Sequence, residues 1–176
     1  MTTPKLTISV LAVTLLSALA LSAQGAKPVA AAPVPTQIAS AKKVFVSNAG
    51  VDAIVLNTFR RLGDPDRPYN QFYAAMKEWG RYELVPSPSD ADLVFEIRFA
   101  APITDTDKTT SFAPQYGVTI VDAKTHFTLW TLGEPVEGAF RKATFERNLN
   151  TAMNGLMENV RKLVAPTEVL AGATQK

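Results

Sequence analysis

The chain has 176 residues, of which 47% are hydrophobic and 19% charged, a balance that supports a packed core. Eighteen Lys and Arg against sixteen Asp and Glu leave it nearly neutral, and its basic pairs (Lys42-Lys43, Arg60-Arg61, Arg141-Lys142, Arg161-Lys162) are scattered; nucleic-acid binding needs a concentrated basic face, so no nucleic-acid partner is expected. With no cysteine and one histidine, disulfides, thiolate catalysis, iron–sulfur ligation and cysteine zinc sites are excluded, and so is attachment through the lipid-bearing Cys of a bacterial lipoprotein.

Met1–Pro4 is a polar start followed by Lys5. Leu6–Ala23 carries no charge and is dominated by Leu, Ala, Val and Ile, and small residues follow. A basic tip, an apolar middle and a small-residue exit make residues 1–26 a secretory signal peptide. Cleavage after Ala20 and cleavage after Gly25 both satisfy the small-x-small rule. The uncharged run falls short of the ~20 apolar residues that span a bilayer comfortably and contains several Ser and Thr, which favours a cleaved signal over the alternative of a retained N-terminal anchor; once it is removed, no stable membrane anchor is expected. The expected location is periplasmic or secreted.

Residues 27–41 are rich in Ala, Pro and Val and read as an extended linker. Residues 166–176 read as a flexible tail. Between them, 42–165 suits one domain with one core.

Within that domain, Lys43–Ser47 alternates and is β-branched, which predicts a first strand. Val51–Arg61 has weak helical spacing. Pro65 and Pro68 frame a loop, and Pro68 stands where a helix can begin. Tyr69, Phe72, Tyr73, Met76 and Trp79 then recur at helical spacing, and Gly80 is placed to close that helix with positive φ. Such an aromatic stripe is a core-packing face before it is a cofactor box.

Arg81–Pro86 predicts a second strand and Ala91–Phe99 a third, the clearest in the chain. There Leu93, Phe95, Ile97 and Phe99 alternate with Val94, Glu96 and Arg98, so one face is buried and the other wet. Glu96 and Arg98 are expected to be sheet-surface residues able to pair across strands. Thr104–Ser111 reads as a mobile polar loop. Tyr116–Asp122 and His126–Leu132 predict a hairpin turning at Asp122–Thr125, with His126 a half-exposed strand residue. Phe140–Val164 is the most periodic segment, a long helix with an apolar stripe through Phe145, Leu149, Ala152, Leu156, Val160 and Leu163. Pro166 ends it.

The order predicts an α+β fold: a single, mostly antiparallel sheet of about five strands, with the aromatic helix and the long C-terminal helix packed on one face. The other face is left exposed or covered by a partner.

The chemistry-bearing motifs are sparse. One histidine makes neither a triad nor a conventional metal site. Asp64/Asp66 and Asp105/Asp107 are D-x-D pairs, but neither sits in a Gly-centred calcium loop. G-x-S-x-G, G-x-G-x-x-G and phosphate-loop motifs do not occur. No catalytic residue, cofactor or metal ligand is therefore expected.

The segments RPYNQFYAAMKEWGRYELV (Arg67–Val85), SDADLVFEIRF (Ser89–Phe99) and VTIVDAKTHFTLWTL (Val118–Leu132) resemble small exported proteins of Acidobacteria with no assigned activity. More loosely, the pattern of elements is similar to uncharacterised envelope lipoprotein domains and to mixed α/β domains of cell-envelope assembly factors. That likeness implies a binding or scaffolding role, with lipid attachment set aside because the Cys is missing. The leading expectation is an exported, non-catalytic module that binds an unknown envelope protein or small ligand, with Phe127 and Trp130 as its surface patch. The alternatives are a small hydrolase using Asp105 and Asp107, and a carrier holding a ligand between the aromatic helix and the sheet.

Overall fold

A computed structural model describes residues 32–53, 55, 64–106 and 109–165. The chain divides into two units, Met1–Pro33 and Val34–Lys176, and every element below belongs to the second. The leader, the tail and most of Val51–Arg61 lie outside the described residues.

Within the stretch read as a linker, Thr36–Ser40 forms one helical turn, α1, and buries Ile38 completely. The Tyr82 hydroxyl donates to the Ile38 carbonyl at 3.0 Å, and the Arg81 guanidinium donates to the Ala39 carbonyl at 2.8 Å, so α1 is tied down from across the fold.

The remaining elements are β1 (Lys43–Val51), α2 (Arg67–Trp79), β2 (Glu83–Leu84), a 3-10 turn (Pro88–Asp90), β3 (Leu93–Ala100), β4 (Ile103–Thr106), β5 (Thr109–Phe112), β6 (Gln115–Asp122), β7 (Thr128–Pro135) and α3 (Lys142–Val164). The sheet order is β2-β1-β3-β6-β7. The β3–β6 and β6–β7 pairings are long and antiparallel, whereas β1 pairs parallel with both β2 and β3. The parallel pairings follow from α2, which carries the chain back across the sheet between β1 and β2. Asp92 secures the start of β1: its Oδ2 accepts the backbone N–H groups of Lys42 and Lys43 at 2.8 and 3.0 Å.

The aromatic helix has the predicted limits. Pro68 sits in its first turn, and Gly80 ends it at φ 65° with its N–H bonded to the Met76 carbonyl. Only glycine adopts that left-handed geometry without steric cost. Phe72 and Met76 are fully buried, Tyr69 and Trp79 partly so, and Tyr73 is exposed.

The alternation in β3 is realised in full. Leu93, Phe95, Ile97 and Phe99 are buried, and they lie beside Val44 and Val46 of β1 and beside Tyr116, Val118 and Ile120 of β6. Phe72 stacks on Phe95 at 6.4 Å, and Phe99 tilts against Tyr116 at 4.9 Å. Each such ring contributes roughly 1.5–3 kcal/mol when buried. Phe145, Leu149, Leu156 and Val160 of α3 complete this layer. The helices therefore cover one sheet face. An Arg67–Glu146 ion pair and a 2.9 Å bond from Gln71 Nε2 to Asn150 Oδ1 join α2 to α3.

Two sequence readings are corrected. Within Thr104–Ser111, the backbone of residues 104–106 and 109–111 belongs to a hairpin, β4–β5, in which Ile103 opposes Phe112 and Asp105 opposes Thr110. No alternation marks it in the sequence, because Thr104–Thr106 and Thr109–Ser111 are polar at every position. His126 is not in a strand. It occupies a left-handed position at φ 60° in the turn before β7, with its N–H bonded to the Asp122 carbonyl.

Candidate functional site

Among the described residues no helix packs on the sheet face away from α2 and α3, where Arg98, Thr131 and Gly133 are exposed, and the strand register fixes which residues share that face. Residues directly opposite one another project to the same side. Three cross-strand rows result: Phe45, Val94 and Val121; Ser47, Glu96, Thr119 and Thr131; and Arg98, Gly117 and Gly133.

Gly117 and Gly133 of the last row form the floor of a groove of about 330 Å³, walled by Asp52, Arg98, Pro102, Gln115, Thr119 and Thr131. Gly117 and Gly133 oppose each other within it. Glycine inside a strand costs roughly 0.5–1 kcal/mol relative to Ala. Neither glycine has positive φ. Among the described residues, a Cβ at Gly117 would approach nothing nearer than the Leu132 carbonyl at 3.9 Å, and one at Gly133 would meet Gln115 Oε1 at 3.5 Å. Both are ordinary contacts, so neither backbone conformation nor packing requires glycine here. A glycine inside a strand marks a bulge, a tight bend or a close approach by a ligand or another backbone, and the β6–β7 register shift lies elsewhere, between Ile120 and Val121.

Arg98 stands at the rim. Its Nη2 and Nε donate to Asp52 Oδ1 at 2.7 and 3.2 Å. With the Arg98 side chain 55% and the Asp52 side chain 32% exposed, this pair contributes at most about 1 kcal/mol of stability. Its effect is orientation: among the described residues Asp52 is the guanidinium's partner and takes two of its five donors. The expectation that Glu96 and Arg98 lie on the sheet surface therefore holds, with Arg98 exposed, Glu96 half-buried and Arg98 paired to Asp52 just beyond the end of β1. The groove offers a guanidinium, an amide, two hydroxyls and bare backbone, which are groups that recognise by hydrogen bonding and close contact.

The other residues singled out from the sequence are dispersed. Phe127 is 72% exposed at the turn before β7. Trp130 lies opposite the buried Ile120 and packs partly against the core, on the helix-covered side. His126 is exposed. Asp105 lies in β4, and Asp107 falls outside the described residues. Asp64 Oδ1 accepts the Asp66 N–H, and Asp66 Oδ1 accepts from Asn48 Nδ2, both at 2.9 Å, so this pair serves a turn. Among the described residues no three His, Cys, Asp or Glu side chains gather as a metal site. No helix there is long and apolar enough to cross a membrane.

The shifted ionisations are explained by the fold. Backbone and side-chain donation from Thr125 holds Asp122 below the usual carboxylate range, and the Lys43 and Lys42 N–H groups do the same for Asp92. Burial pushes Tyr82 and Tyr116 up to about 12. The space between α2 and the sheet, where a carrier would hold its ligand, is occupied by Phe72, Met76, Phe95 and Tyr82.

Asp52, Gln115, Gly117 and Gly133 were not singled out by sequence reasoning. The available signal was an isolated glycine within a strand pattern, once at Gly117 and once at Gly133. Their being opposite each other is visible only in the register.

No family model matches the chain, and no curated protein matches it. Among solved structures, it is similar to a neuraminyllactose-binding hemagglutinin homolog from Helicobacter pylori (11% identity, 80% of this chain and 93% of that one, TM-score 0.42). It is also similar to a PelC dodecamer subunit from Paraburkholderia phytofirmans (13%, 77% and 95%, TM-score 0.40). A third is uncharacterized lipoprotein B from Nitrosomonas europaea (9%, 77% and 88%, TM-score 0.35). Likenesses of this depth carry nothing about activity or partners over to this chain.

Proposed function

We propose that the protein is an exported, non-catalytic binding module of the cell envelope, periplasmic or secreted, whose contact surface is the open sheet face. The observation that carries this reading is the groove over Gly117 and Gly133, where two strands forgo side chains that the fold has room to accept. Arg98, Gln115, Thr119 and Thr131 supply its hydrogen-bonding rim. Phe127, at the turn end of the same strand pair, adds an exposed ring. Export rests on the order of residues in the leader.

The test places a photo-reactive phenylalanine at Thr131 on the open face, or at exposed Asn154 on α3 as a control, in the producing cell. A discrete adduct is expected from Thr131 and not from Asn154. It is expected to vanish in a Gly117→Thr/Gly133→Thr variant that keeps its Tm. Equal adducts from both positions, or an adduct that survives filling of the groove, would overturn the assignment of the face. Export is tested separately by sequencing the N-terminus of the fractionated protein. Mature chains beginning at Leu21 or Ala26 outside the cytosol support it, and a cytosolic pool retaining Met1 refutes it.

A further inference from the structure

We draw no further inference here: the strongest candidate, the uncharged outer edge of strand β7 over Thr128–Leu132 at the end of the sheet, carries nothing because nothing in the structure shows what covers it.

Discussion

Replacing Gly155 by alanine sets two opposed effects against each other. Gly155 lies within α3, where glycine-to-alanine alone stabilises a helix by about 1 kcal/mol. Here the new Cβ would sit 2.6 Å from Glu134 Oε1 and 2.9 Å from its Cδ, well inside contact distance. The carboxylate is the mobile partner and must retreat. Its Oε2 accepts a 2.9 Å bond from Asn159 Nδ2, and retreat breaks that bond. A hydrogen bond to a charged group contributes about 1.5–3 kcal/mol. The loss outweighs the helix gain, so Gly155→Ala is expected to destabilise the protein by about 0.5–2 kcal/mol, and to lower Tm by roughly 2–8 °C. In a Glu134→Ala background the obstacle is gone. There the same substitution is expected to stabilise by about 0.5–1 kcal/mol. Urea denaturation of the wild type, both single variants and the double variant measures the coupling between the two positions. A gain in stability from Gly155→Ala in the wild-type background, or an identical effect in both backgrounds, would refute the reasoning.

Acid and alkali probe other contacts. Asp92 and Asp122 have lowered folded pKa values, so their contribution is present above the unfolded value of about 3.9 and is lost as pH falls through the folded value. The Asp92→Asn/Asp122→Asn variant is therefore expected to show a flatter acid limb in pH-dependent denaturation, and an unchanged limb would contradict this. Tyr82 and Tyr116 are raised to about 12, so their contribution is complete below the unfolded value of about 10 and is lost as pH rises through about 12. Phenolate absorbance of these two residues is expected to appear together with the loss of near-UV circular dichroism. Ionisation of all four tyrosines near pH 10 with the native spectrum retained would exclude it.

The parts of the fold that bury a periodic face were legible in the sequence. The β3 alternation, the aromatic stripe closed by Gly80 and the stripe of α3 each place apolar residues at the spacing of one element, and each element formed where expected. What failed lacked that signal. Residues 103–106 and 109–112 pair as a hairpin in which the positions between Ile103 and Phe112 are uniformly polar, so no apolar alternation announces the strands. His126 adopts a left-handed turn geometry more often met with Gly or Asn. The parallel pairing of β1 depends on where α2 returns the chain, which local patterning does not encode. The groove was hidden for a related reason. Gly117 and Gly133 are unremarkable singly, and only the β6–β7 register sets them side by side.

The place of β1 between β2 and β3 has a kinetic consequence. Strands β3, β6 and β7 are consecutive partners in the main sheet, and Ile120 meets Trp130 across a short turn. Val46 must instead find Phe95 across a much longer stretch, at about 1.4 kcal/mol more in loop-closure entropy by the logarithmic rule. The segment that leaves the ribosome before the rest of the sheet is thus expected to be the last to dock, and pulse-labelled amide exchange during refolding should show β6 protected ahead of β1. A protein assembled in that order presents an unfinished flank at β3 until its own N-terminal portion arrives.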